Sequence, residues 1–298
     1  MQYGFTCLEC LIRMELDRIR EQTDSEKRLA CAKAFFGVLA NAPEGVAPPF
    51  LVPAFDAVYD RYFGGETDPQ RILTQRAGEI MLERLPAARE AVFGAEDPLY
   101  AALQYSRIGN YIDFAAFGSQ VDFGHLDELL AGVRSRPIDE GEYCHFRDDL
   151  AAANSFLLIT DNAGEIVLDR LVLEVLRRDY PGLDLTVCVR GGPALNDALR
   201  EDAEAAGIPA LARVVDNGSC IGGMELGSLS AESREALDGA SVILAKGQAN
   251  LETMLGCGYN VYYLFLCKCA RFREMFGVPA MTGMFLNDRR AQVDDPLR

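Results

Sequence analysis

The chain is short of the residues and segments that several function classes depend on. It has no tryptophan and only two histidines, His125 and His145, so a catalytic metal site built from several imidazoles is excluded. Its nine cysteines are odd in number and scattered, which is not the framework of a disulfide-stapled secreted domain. They fit free thiols in a reducing, cytoplasmic setting. No run approaches the roughly 18 apolar residues that a bilayer-spanning helix needs, and the first twenty residues carry acids where a signal peptide would be apolar. Positive charge is also scarce: 45 acidic against 29 basic residues give a formal charge of −16. That field repels nucleic-acid backbones and anionic membrane surfaces. Neither is an expected partner. An anionic small molecule binds such a chain only where local cations or a metal ion reverse the sign.

What is present is apolar material in quantity. Hydrophobic residues make up 49% of 298 positions, enough to bury a core of one large or two modest domains and to exclude disorder. Up to about residue 135 the pattern is helical. Asp68-Pro69 and Asp97-Pro98 place a capping acid before a proline at the first helical position, and Leu73, Ala77, Ile80 and Met81 recur on one helical face. From about residue 150 strands alternate with helices: strands at 155–160, 183–190, 212–215, 241–245 and 259–267, with helices from 164, over 194–206 and from 230. The expected architecture is an α/β fold, a Rossmann-like α/β/α sandwich with a mostly parallel sheet, plus an N-terminal all-helical domain. The expected division is residues 1–140 and 141–298.

In such a sheet ligands gather beyond the carboxyl ends of the strands. Three strand ends here carry the polar groups: Thr160-Asp161-Asn162-Ala163-Gly164-Glu165, then Arg190-Gly-Gly-Pro-Ala-Leu-Asn196-Asp197, and Lys246-Gly-Gln-Ala-Asn250. Asp161 and Asp197 offer hard oxygen ligands and Asn162 a side-chain carbonyl, a donor set suited to Mg²⁺, Mn²⁺ or a similar ion. Lys246 opens a glycine turn before a helix, where an ammonium and backbone amides can hold a phosphate. Arg190 either clamps the same anion or pairs with a neighbouring acid.

Each piece also has a plainer reading. Asp-Asn-Ala-Gly after a strand is a common capped turn. Asp197 fits an exposed acid in a first helical turn. Lys246-Gly247 lacks the spacing of a P-loop, and Gly218–Gly223 lacks the dinucleotide fingerprint. No nucleophile elbow accompanies a Ser-His-Asp set. Cys7-Leu-Glu-Cys10 has the spacing of zinc or redox ligands, yet a structural zinc needs four partners, and two small residues one helical turn apart read equally as buried thiols.

Taken together, these motifs resemble the domain-of-unknown-function 89 family, whose members are described as metal-dependent damage-control phosphatases. The similar segments are Asp161–Glu165 with Asp169 nearby, Arg190–Asp197 and Lys246–Glu252. Gly109-Asn110 with Asp113 is similar to an upstream motif, and Cys7–Cys10 to the stand-alone prokaryotic branch. The resemblance implies a helical region against a Rossmann-like sandwich. It implies a divalent ion (Mn, Co, Ni or Mg) held by Asp161, Asn162 and Asp197, and phosphate contacts from Lys246. It also implies a small phosphorylated metabolite, such as a sugar phosphate, as substrate, and places Asn110, Arg190, Asn196 and Asn250 around it. The expected reaction is phosphoryl transfer to water, with Asp161 or Glu165 orienting or deprotonating the nucleophile. A second metal site on Cys7, Cys10 and Cys269 is a further expectation. The rival reading is a non-catalytic sensor or carrier of a phosphorylated metabolite, which needs Lys246 and Arg190 but not the paired aspartates.

Overall fold

The computed structural model describes residues 1–64, 69–111 and 123–291. Helices α1 (Phe5–Arg18), α2 (Ser25–Ala40) and α3 (Val52–Phe63) form a first group. Next come α4 (Pro69–Phe93), α5 (Pro98–Gly109), α6 (Phe123–Ala131) and α7 (Glu140–Ala152). The alternating part contains β1 (Ser155–Ile159), α8 (Ile166–Asp179), β2 (Asp184–Val189), α9 (Arg200–Ala205), β3 (Arg213–Asp216) and α10 (Ala231–Asp238). It continues with β4 (Val242–Lys246), α11 (Gly247–Met254), β5 (Val261–Cys267), α12 (Ala270–Phe276) and β6 (Thr282–Asn287).

The six strands run in the order β3-β2-β1-β4-β5-β6, with β1 to β5 parallel and β6 antiparallel on β5. Strand order therefore reverses direction between β1 and β4, the switch point at which a crevice opens at the carboxyl edge. The strands are apolar on both faces because both are covered. In β1, Phe156 and Leu158 point into one core and Leu157 and Ile159 into the other, as the two-residue period of a strand requires. The first core is closed by α4, α5, α6, α7 and α8, the second by α10, α11 and α12.

That packing divides the chain elsewhere than at residue 140. Met81, Leu103 and Phe146 share a core with Leu171 and Leu244, so α4 to α7 form one outer layer of the sandwich. Helices α1 to α3 bury a cluster of their own, centred on Phe35 and Phe55, whose rings meet edge to face 5.7 Å apart. The stripe on α4 is buried at Ala77, Ile80 and Met81. Asp97 caps α5 by accepting from the Tyr100 amide at 3.1 Å. Asp68 lies outside the described residues.

One expectation is corrected. The helix expected over 194–206 is confined to α9, because Leu195 has φ +50° and Asn162 bridges backbone to backbone with Asp197, folding 190–199 back as a loop. The edge strand β6 and helix α12 were not foreseen. Gly283 in β6 leaves room for the Arg107 guanidinium, since a Cβ there would lie 2.5 Å from its Cζ. No helix among the described residues is long and apolar enough to cross a membrane.

Candidate active site

At the end of β1 the chain turns through Asp161-Asn162 into α8, which puts Glu165 and Asp169 one helical turn apart on the same face. At the end of β4, Lys246 is the N-cap of α11 and Gly247 has φ +73°. A side chain at Gly247 would place its Cβ 2.0 Å from Asp161 Oδ2, so only glycine lets this turn lie beside that carboxylate. From the opposite layer, α5 ends at Gly109-Asn110. A Cβ at Gly109 would come 3.1 Å from the Glu165 Cα, and this close approach carries Asn110 into the crevice.

The groups form a graded sequence from mouth to core. Asp161 and Asp197 keep 7% and 8% exposure, while Glu165, Asp169 and Lys246 have none. Two carboxamides join the first row to the second. Asn110 Nδ2 donates to Asp161 Oδ2 (2.8 Å) and Glu165 Oε2 (2.9 Å), and Asn162 Nδ2 donates to the same two oxygens at 2.9 and 3.1 Å. Asn196 Nδ2 donates to Asn162 Oδ1 at 2.6 Å, so the orientation of the Asn162 amide is determined from both ends. The Leu266 amide donates to Asn110 Oδ1 at 3.1 Å and fixes that amide too.

Behind Glu165 lies Lys246. Its ammonium donates to Glu165 Oε1 (2.6 Å) and the Ser106 carbonyl (3.1 Å), and pairs with Asp169 Oδ1 at 3.3 Å. Its three protons are directed at these three groups. The structure thus turns Lys246 toward a buried acid pair rather than toward an open phosphate cup. Burial lowers the Lys246 pKa, but the Asp169 and Glu165 carboxylates outweigh it and the net direction is upward. Burial pushes Asp169 up to about 7 against the opposing pull of Lys246, with Glu165 adding to the rise. Glu165, fully enclosed and holding three donors, stands behind Asp161 and braces it.

Arg190 is also turned inward. Its Nε donates to Asp197 Oδ2 at 2.6 Å and its Nη2 to the Thr160 carbonyl at 3.0 Å, while Nη1 is buried without a hydrogen-bond partner. Of the two readings open for this residue, pairing with an acid is the one the geometry displays. Asn250 donates to Thr160 O at 3.0 Å and to Lys246 O at 2.5 Å, bracing two strand ends. Asp113 and the His125 side chain lie outside the described residues; His145 is exposed.

A divalent ion fits the front row by the chemistry of its donors. Its acids are Asp161 and Asp197, the latter bonded to Arg190, while Glu165 and Asp169 lie behind them and are compensated by Lys246. A set of carboxylates and carboxamides of that sign suits a hard cation. The Asn162 amide has its N–H₂ committed to Asp161 and Glu165, and its carbonyl lies on the other side, where Asn196 donates to it. The geometry around Cys7, Cys10 and Cys269, the residues expected for a second site, is that of separate thiols. Among the described residues no group of three or more His, Cys, Asp or Glu is arranged to hold an ion. The Arg271 guanidinium donates to Cys7 Sγ at 3.4 Å, a position a metal would contest, and Cys10 is exposed.

Motif reading missed Ser106, whose Oγ donates to Asp169 at 2.6 Å, and Lys268, whose Nζ donates to the Asn110 carbonyl. Lys268 directly follows β5, so the strand-end rule that found the other groups also reaches it. Ser106 lies inside α5 and carried no such signal.

Comparison with known proteins accords with this geometry. The chain is 33% identical over 285 residues to a damage-control phosphatase of Archaeoglobus fulgidus, covering 93% of this chain and 96% of the relative. It is 29% identical over 282 residues to an uncharacterised protein of Methanocaldococcus jannaschii, with 91% of each covered. The solved structure of a domain-of-unknown-function 89 family protein from Pyrococcus horikoshii superposes with a TM-score of 0.82 at 25% identity, covering 97% of this chain and 99% of that one. The model of the damage-control phosphatase ARMT1-like domain matches residues 5–282, and on that span the chain belongs to the ARMT1-like damage-control phosphatase family.

Proposed function

We propose that this chain is a metal-dependent phosphomonoester hydrolase acting on small phosphorylated metabolites, sugar phosphates among them. The observation that carries this reading is the front row of the crevice: Asp161 from the end of β1 and Asp197 from the loop after β2, brought together by the Asn162–Asp197 backbone bridge and each keeping a little exposure at the carboxyl edge of the sheet. The similarity to the Archaeoglobus damage-control phosphatase supports the same class.

Asp161, Asn162 and Asp197 would hold a Mn²⁺, Co²⁺, Ni²⁺ or Mg²⁺ ion. Such an ion, when bound, supplies Lewis-acid polarisation of the phosphoryl group and charge neutralisation in a protein that otherwise repels phosphate. Of the two carboxylates considered for that step, Asp161 rather than Glu165 would orient a water and accept its proton, since Asp161 keeps some exposure at the mouth and Glu165 has none. Glu165 holds Asp161 through the two shared carboxamides. Arg190 holds Asp197, and Lys246 keeps the interior acids compensated.

The test is phosphate release from a panel of phosphorylated metabolites, with and without added Mn²⁺, Co²⁺, Ni²⁺ or Mg²⁺. Turnover that requires the ion and falls by about 10³-fold or more in Asp161→Ala is expected. Metal-independent release, or full activity in Asp161→Ala, would refute the reading. Binding of phosphorylated metabolites with no release under any ion would favour the sensor or carrier instead.

A further inference from the structure

The hydrogen-bond chain does not stop at Glu165. Asp169 lies one turn deeper on α8, has no exposure, and meets Lys246 and Ser106 with a single oxygen, Oδ1. Its other oxygen, Oδ2, is buried with no hydrogen-bond partner. A buried acceptor left unpaired costs about 1–3 kcal/mol, so stability alone gives no reason for a carboxylate here. Lys246 would be compensated by Glu165 in any case. What Asp169 changes is direction. With Ser106 O and Asp169 Oδ1 behind it, the ammonium points its remaining proton at Glu165 Oε1. That leaves Glu165 Oε2 to collect the N–H₂ groups of Asn110 and Asn162. An amide whose N–H₂ is held there presents its carbonyl to the opposite side, where Asn196 and the Asp197 loop lie.

We infer that Asp169 is a positioning residue. Through Lys246 and Glu165 it fixes the flip of the Asn162 carboxamide, so that Asn162 offers the ion oxygen rather than nitrogen. This rests on the metal-site reading of Asp161, Asn162 and Asp197, and it extends that site to a residue two side chains removed from it. Partners behind a metal ligand orient it, and their loss commonly weakens metal affinity or activity by about 10–100-fold.

The experiment is a calorimetric titration of Mn²⁺ into chelator-stripped full-length wild type, Asp169→Asn and Ser106→Ala, with a thermal melt of each. Asp169→Asn is expected to raise the Mn²⁺ dissociation constant by about 10–100-fold. Ser106→Ala, which removes only the hydroxyl that holds Asp169, is expected to raise it by a smaller factor. The KM for a phosphorylated substrate at saturating Mn²⁺ should stay within a few-fold of wild type in both. A purely structural role would lower the melting temperature and leave Mn²⁺ affinity of the folded protein unchanged. If Asp169→Asn does not fold, unchanged Mn²⁺ affinity in Ser106→Ala overturns the inference. Unchanged affinity in both variants, with a wild type that binds Mn²⁺, overturns it and leaves the metal site standing. A wild type that binds no Mn²⁺ overturns both.

Discussion

Among the described residues, acids are buried both in the α1–α3 group and at the carboxyl edge of the sheet, and of these two places the second has the makings of a site. In the α1–α3 group, Glu15 is 2% exposed and burial pushes its pKa up to about 7, against the pull of Arg18 and with Asp56 adding to the rise. Arg18, the cation beside it, is one-third exposed and sits closer to Asp56 (2.6 Å) than to Glu15 (3.6 Å). At the carboxyl edge of the sheet, Asp169 is likewise raised to about 7, but its cation is fully enclosed and shared with Glu165. A perturbed acid is therefore a poor marker by itself. The crevice is set apart by convergence: several chain segments contribute, and the carboxamides of Asn110 and Asn162 are each oriented from both sides.

The contrast is broken most strongly at Lys246. In Lys246→Met, Glu165 and Asp169 lose their common cation in a region with no exposure, and removing one partner of a buried ion pair costs about 3–5 kcal/mol. A drop of roughly 10 °C in the thermal midpoint is expected. A midpoint within a degree or two of wild type would show that the acids are not charged against that ammonium. Adding Asp169→Asn to the variant should return part of the loss, since the two positions share one network.

Glu15 sharpens the comparison with a smaller effect. Its folded pKa is raised above the unfolded value of 4.5 to about 7, so the charged form is penalised in the fold. The contribution is absent below pH 4.5 and grows as a loss of stability as pH rises through 7. Glu15→Gln should therefore be about 1–3 kcal/mol more stable than wild type at pH 8 and little different at pH 5, by denaturant unfolding at both values. An advantage of equal size at pH 5 would mean that the gain comes from packing or hydrogen bonding, not from ionisation.

The two regions also differ in how far they could be read from sequence. The strand-end motifs were legible because a parallel sheet forces its loops to one edge, so Asp161, Asn162, Asp197 and Lys246 had to be neighbours if the strands were right. Where Lys246 points was not legible. Motif spacing reads it as a phosphate ligand, and only the packing of α5 against α8, permitted by Gly109, supplies Ser106 and turns the ammonium inward. The same holds for Arg190, whose acid partner is seven residues along a loop that sequence pattern reads as helix. Edge strand β6 was missed because an antiparallel edge needs no crossover helix and its six residues carry only a weak alternation. The expected division at residue 140 could not take packing into account: helical character does not say which sheet face a helix covers, and α4 to α7 cover one.

The account's central claim is that Asp161, Asn162 and Asp197 hold a divalent cation at the switch point of the sheet. Calorimetric titration of Mn²⁺ into chelator-stripped Asp161→Asn and Asp197→Asn, beside wild type, tests it most directly. One saturable site in wild type, weakened by about 10²-fold or more in each variant as a charged ligand is removed, is the predicted result. Mn²⁺ affinity equal to wild type in both variants would contradict it.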